Sequence, residues 1–184
     1  MTAGRALAIG TAFLAACRGE LEALKPGNVH VFSNGHRMSV AGFERSAEAA
    51  AGPLCHAGAR VGARILGAVK ATRAAVGQNT NLGILLLCAP LARAAEMAPG
   101  PLRPSLEAVL ADLDREDAAG AFEAIRLAAP AGLGETPRHD VRALATVTLL
   151  EAMAEAASWD RVARAYADGF SEIFDCGLPV LKAA

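Results

Sequence analysis

The sequence has few β-branched residues and no sustained period-two alternation, which excludes a sheet with one buried face. Cysteine occurs only at Cys17, Cys55, Cys88 and Cys176, never as a CxxC pair. That scatter excludes a disulfide framework and a thiolate zinc site, and it fits reduced thiols in a cytoplasmic protein. An excess of either charge is missing too. With 18 Lys and Arg against 19 Asp and Glu, the formal net charge is −1, so no global field draws the chain to nucleic acid or to a membrane. The uncharged run from Leu82 to Ala92 is too short to cross a bilayer, and the segment around Arg5 and Arg18 does not read as a signal peptide. Internal repeats, heptad runs and low-complexity tails are also lacking.

What is present is helical periodicity in a chain of 184 residues that is 53% hydrophobic and 20% charged. These values predict one all-α domain spanning 1–184, a multi-helix bundle with a sizeable core. Leu7, Leu14, Cys17, Leu21 and Leu24 share one face of a first helix, which Lys25-Pro26-Gly27 ends. Ser39 caps a short helix through Ala51, broken by Gly52-Pro53. A helix over 54–76 carries Leu54, Val61, Ile65, Val69, Thr72 and Val76 inward, with Arg60, Arg64, Lys70 and Arg73 on a solvated face. The uncharged run from Leu82 follows as a buried central helix that Pro90 kinks or ends. Helices are expected over 105–113 and 116–129, with Asp112, Asp114, Glu116 and Asp117 as capping acids at their junction. A helix over 141–157 and a last one over 159–176 complete the bundle. Ser158 caps the last helix, Gly177 and Pro179 stop it, and Val162, Tyr166, Phe170, Ile173 and Phe174 face inward.

Polar side chains concentrate in two glycine-bearing stretches that adjoin helix termini. In the first, Lys25 and Arg37 supply positive charge for a polyphosphate, and Asn28 and Asn34 add amides. His30 and His36 are the proton carriers of that loop. In the second, Gly77-Gln78-Asn79-Thr80-Asn81-Leu82-Gly83, Asn79 or Thr80 is the N-cap, and Gln78, Asn79 and Asn81 suit ribose hydroxyls or a phosphate. Glu44 and Glu48 lie one helical turn apart, where they suit Mg²⁺ shared with phosphate oxygens or simply form a solvated face. Asp140 either caps a helix or points into a site.

The same residues carry a resemblance. Lys25-Pro26-Gly27-Asn28-Val29, Asn34-Gly35-His36-Arg37-Met38 and the stretch from Gly77 to Gly83 resemble the triphosphoribosyl-dephospho-CoA synthase family, which serves citrate lyase and malonate decarboxylase. The likeness extends through Asp140 and the C-terminal helix. It implies an all-helical fold and an activity that takes ATP and 3′-dephospho-CoA. The ATP ribose is joined through its anomeric carbon to a ribose hydroxyl of the acceptor, and adenine is released. Mg²⁺ and cationic side chains would hold the triphosphate, an acid drawn from His36, His30 and Asp140 would assist adenine departure, and Thr80 with the amides would orient the riboses.

In enzymatic members of the family the second motif runs Asn-Thr-His-Lys-Gly, whereas Asn81 and Leu82 stand at the histidine and lysine positions here. Arg37 stands where an aspartate usually precedes the methionine, and the chain is expected to lack the C-terminal helices of longer members. These differences resemble a branch associated with one-carbon cofactor metabolism. Two further readings therefore stay open: an enzyme of methanopterin- or furan-type cofactor assembly acting on another phosphorylated substrate, and a nucleotide- or protein-binding module without turnover. Alanine-rich faces suit a homodimer.

Overall fold

The computed structural model describes residues 3–23, 39–97, 100–130, 133–134, 136 and 138–183. Among these there is no strand, in accord with the expected all-α class. The helices are α1 (Ala3–Glu22), α2 (Val40–Leu54), α3 (Val61–Val76), α4 (Leu82–Met97), α5 (Leu102–Ala111), α6 (Arg115–Ala128), α7 (Leu149–Ala156), α8 (Arg161–Ala167) and α9 (Leu178–Ala183), with a π-helical turn over Glu172–Gly177. The main packing pairs are α2 with α3, α3 with α6, α4 with α5, and α7 with α8. Among the described residues no single helix is long and apolar enough to cross a membrane.

Helix α4 is central, as its composition predicts: Leu82, Leu85, Leu86, Ala89, Pro90, Ala92 and Ala94 are buried. Pro90 does not end it. Proline has no N–H to bond the carbonyl one turn back, so a helix running through it leaves that acceptor unmet. Here the acceptor is the Leu86 carbonyl, and the buried Tyr166 hydroxyl donates to it at 2.6 Å. A side chain on α8 thereby closes the gap that proline opens in α4. Tyr166 also packs against Phe170, with ring centroids 5.6 Å apart.

A second tertiary bond corrects the expected solvated face of α3. Lys70 and Arg73 are exposed, but Arg64 is fully buried. Its guanidinium donates to the carbonyls of Leu54 at 2.8 Å and Ala59 at 2.9 Å, and it pairs with Glu96 of α4. Glu96 also accepts from the Gly58 N–H at 2.7 Å and pairs with Arg93 at 3.2 Å. Arg60 is only half-exposed and meets Asp112, Asp114 and Asp117. The acids do cap α6, since Asp114 and Asp117 form a reciprocal capping box, but buried Asp117 also accepts the Gly62 N–H at 2.8 Å. Gly62 and Gly120 let α3 and α6 approach closely. A Cβ on Gly62 would lie 2.5 Å from Asp117 backbone atoms, and one on Gly120 would lie 2.8 Å from the Gly62 backbone.

Several boundaries differ from those read in the sequence. Leu7 is exposed, and Phe13 takes the core position beside Cys17 and Leu21. Helix α2 runs through Gly52-Pro53 to buried Leu54, with Pro53 in its last turn close to Gly67 of α3. The chain then turns over 55–60, so α3 starts at Val61. Only Leu149–Ala156 of the expected 141–157 helix forms, because Thr148 and Glu151 make a capping box that starts it late. The last helix is capped by Asp160 rather than Ser158 and breaks after Ala167. Gly169 and Phe170 take positive φ of 67° and 62° there, which turns Phe170 into the core. The chain then passes through Gly177 and Pro179 into α9 without stopping. Tyr166 and Phe170 are buried, and Val162, Ile173 and Phe174 pack against the core, as the spacing predicted.

Tyr166→Phe should leave the Leu86 carbonyl buried without a donor and cost about 1–3 kcal/mol, measured by denaturant unfolding. Burial pushes the Glu96 carboxyl up, but the Gly58 N–H, Arg64 and Arg93 outweigh it and hold it below its ordinary value. With the folded pKa below the unfolded one, this contact stabilises fully above the unfolded value, and the stability is lost as pH falls through the folded one. Glu96→Gln should therefore flatten the acid limb of the stability–pH curve, and an unchanged limb would remove Glu96 from that role.

Candidate active site at the amino end of α4

The second polar stretch is a short connection between α3 and α4, and its geometry follows from its residue types. Gly77 ends α3 with φ 74°, a left-handed conformation that glycine adopts without strain. Asn79 accepts the Leu82 N–H at 3.2 Å through Oδ1, but the Asn81 carbonyl accepts the first bond of α4, from the Leu85 N–H at 3.0 Å, so the N-cap position falls on Asn81 rather than on Asn79 or Thr80. Thr80 has a different task. Its hydroxyl donates to Ser46 Oγ of α2 at 2.7 Å, while Ser46 donates to the Gly42 carbonyl at 2.8 Å. Asn81 is buried, and its Oδ1 accepts from Thr72 of α3 at 3.3 Å. The Nδ2 of Asn81 is buried and has no partner among the described residues. Gln78 is exposed.

The connection thus ties α2, α3 and α4 together at one end of the bundle. Ser39 caps α2 there by accepting the Gly42 N–H at 3.1 Å. Leu21 of α1 and Phe43 of α2 pack together, with Val40 and Ile84 against them. The described residues that flank the first polar stretch, Ala23 and Ser39, therefore adjoin an end of the bundle that includes the first turn of α4. Lys25, Asn28, His30, Asn34, His36 and Arg37 themselves lie outside the described residues. Glu44 and Glu48 are exposed on α2, beside a small depression that Arg18, Leu21 and Phe43 also line.

Asp140 lies elsewhere. It borders a groove of about 660 Å³ walled by α4, α6, α7, α8 and the connection after α6. Leu82, Leu86, Phe122, Leu149 and Met153 line the groove, and Gly83 opens into it. The groove and the Leu21–Phe43 pair thus lie against different residues of the first turns of α4, with Leu82 and Gly83 lining the former and Ile84 packed toward the latter. Asp140 does not start a helix as expected. Its carboxylate accepts the N–H of Arg142 at 2.8 Å and of Thr136 at 3.2 Å and pairs with the Arg142 guanidinium at 3.1 Å. Those donors hold its carboxyl below the ordinary aspartate value. Arg138, His139, Glu155 and Trp159 also line the groove and were not singled out by sequence reasoning. The irregular stretch around Gly132, Gly134 and Pro137 was the signal for Arg138 and His139, since connections of that kind are where site residues gather, whereas Glu155 and Trp159 carry no such signal. His139 holds a left-handed φ of 53° within it.

Residues 6–184 match the family described as ATP:dephospho-CoA triphosphoribosyl transferase. The chain belongs to that family. No curated protein and no solved structure matches it. The match covers both polar stretches and every residue of the groove, so the family assignment rests on the whole bundle rather than on one motif.

Burial disfavours the nucleophilic thiolate at three of the cysteines. Burial pushes the Cys17 thiol up to about 11 and Cys88 up to about 12, and Cys55 rises for the same reason. Asn79→Ala should cost about 0.5–1.5 kcal/mol through the lost bond from the Leu82 N–H. The check is a thermal melt compared with Gln78→Ala, which should melt like the parent.

Proposed function

We propose that the protein transfers the triphosphoribosyl group of ATP to 3′-dephospho-CoA and releases adenine. The observation that carries this reading is the family match over residues 6–184, joined to a groove that opens at Leu82 and Gly83 beside the second polar stretch. In the reaction the bond between C1′ of ATP and the adenine nitrogen breaks. A ribose hydroxyl oxygen of the acceptor bonds to C1′, its proton is released, and adenine takes up a proton as it leaves. Charge develops on the sugar as an oxocarbenium-like centre, so fixed negative charge near C1′ lowers the barrier.

Asp140 suits that electrostatic role better than the acid role. A carboxyl held low by two N–H donors and a guanidinium is ionised at neutral pH and has no proton to give. Proton delivery then falls to an imidazole, with His30 and His36 as the candidates. Lys25 and Arg37 provide cationic contacts for the triphosphate, and Asn28, Asn34 and Gln78 offer amides to ribose or phosphate. Asn79, Thr80 and Asn81 act by shaping the start of α4, whose unpaired N–H groups favour a phosphate.

The donor set on α2 fits a substrate-borne Mg²⁺. Glu44 and Glu48 are both exposed, and among the described residues no group of three or more His, Cys, Asp or Glu is arranged to hold a metal. Mg²⁺ commonly keeps several waters and takes one or two carboxylates plus phosphate oxygens. When bound, the ion would neutralise triphosphate charge, and the two glutamates would fix where it sits. Two copies of the chain would bury the alanine-rich faces as a homodimer.

Chromatographic detection of adenine after incubation with Mg-ATP, with and without 3′-dephospho-CoA, tests the reading. Adenine should appear with the acceptor, together with a joined product of matching mass. Asp140→Asn should lower the turnover by about 10²–10³-fold, as loss of a preorganised electrostatic group does. ATP binding by calorimetry without adenine release would support the non-catalytic module, a reading favoured by the structural use already made of Asn79 and Thr80.

A further inference from the structure

We infer that the groove between α6, α7 and α8 is a pocket for the uncharged purine base of a nucleoside, stacked on Trp159, and that polyphosphate is held outside it. This deepens the transferase reading and rests on it for the identity of the nucleotide. The first observation is charge. Among the described residues lining the groove, Arg138 is the single Lys or Arg, against the three carboxylates Asp140, Glu155 and Asp160. Arg138 is itself paired with Glu155 at 3.4 Å. A wall with that balance repels a triphosphate, whereas a neutral ring carries no such penalty.

The second observation is shape and chemistry. At about 660 Å³ the groove falls within the range of about 300–1,000 Å³ usual for small-molecule pockets, and Leu82, Leu86, Phe122, Leu149 and Met153 make it apolar. Trp159, the one tryptophan of the chain, lines it while remaining 60% exposed. An indole left that open is unusual for a core residue and suited to stacking, because every base offers a π face. Its backbone is fixed, since the N–H groups of Trp159 and Asp160 both donate to the Ala156 carbonyl, at 3.1 and 3.0 Å. Asp160 also caps α8 by accepting the Ala163 N–H at 2.8 Å. The ring is therefore presented from the rigid junction of α7 and α8.

Because Trp159 is the sole tryptophan, its emission reports on this groove alone. The full-length protein is titrated with adenosine, with inorganic tripolyphosphate and with ATP. Adenosine and ATP should quench the emission saturably, and tripolyphosphate should leave it unchanged. Trp159→Ala, at an exposed position that keeps the fold, should weaken adenosine binding about tenfold by calorimetry, as loss of a base–aromatic stack does. Two sources of the base are separated by adding 3′-dephospho-CoA. An ATP response that persists at saturating acceptor assigns the groove to the base of ATP, and one that the acceptor replaces assigns it to the acceptor's adenosine. Quenching by tripolyphosphate, or adenosine affinity unchanged in Trp159→Ala, overturns the inference. Adenosine quenching without adenine release from ATP removes the transferase reading and leaves the base pocket standing. Release without any adenosine response does the reverse.

Discussion

The buried ion pair between Arg64 and Glu96 is the constraint on which the rest of the bundle depends. A guanidinium with no access to water must spend its donors on protein acceptors, and Arg64 spends them on the end of α2, the turn before α3 and a carboxylate on α4. Four segments are thereby indexed to one side chain. The Glu96 carboxylate in turn holds the Gly58 N–H, in a turn where Gly58 takes φ 75°. An ion pair of this kind adds little net stability over an apolar replacement, but it is costly to satisfy in any other arrangement, so it selects one register for α3 against α4.

With α4 held at its far end by Glu96, two polar devices fix its remainder. At its start, Thr80 with Ser46 and Asn81 with Thr72 tie the helix to α2 and α3. In its middle, Tyr166 satisfies the carbonyl left open by Pro90 and docks α8 alongside. The groove follows from this docking. Its walls are the faces of α6, α7 and α8 that α4 does not fill, and its mouth lies at the first turn of α4. A polar stretch that serves as a joint between helices and also borders a groove is a rigid platform for positioning a substrate.

The two sides of the α4 amino end are bordered by different residues. The exposed carboxylates of α2 and the cap at Ser39 lie near Leu21, Phe43 and Ile84, whereas the groove reaches Leu82, Leu86 and Asp140. A transferase handling a nucleotide has to bind a polyanion and a flat neutral ring that are covalently joined through one sugar. On the transferase reading the groove would take the ring, and the far side of the α4 amino end would take the polyanion. The carboxylate of Asp140 is held low by donors of its own loop, the N–H groups of Arg142 and Thr136 and the Arg142 guanidinium.

The helical class, the core role of α4, the caps at Ser39 and Asp114, and the inward placement of Tyr166 and Phe170 were legible in the sequence. Each depends on local spacing or on a side chain reaching its own backbone a few residues away, and such signals survive in one dimension. Tertiary structure alone decided the rest. Arg64 reads as a surface residue until Leu54, Ala59 and Glu96 are brought around it. Pro90 reads as a helix end until Tyr166 arrives from α8, and the late start of α7 is hidden by alanines that favour helix on both sides of Thr148. The site divides in the same way. The second polar stretch could be located because glycine and amide side chains cluster in sequence, but the groove could not, because Gly83, Asp140 and Trp159 line it together only once α4, α6, α7 and α8 have packed. Local hydrogen bonds obey fixed offsets along the chain, whereas the partners of a buried charge, an orphaned carbonyl or an apolar cleft are chosen by how whole helices dock.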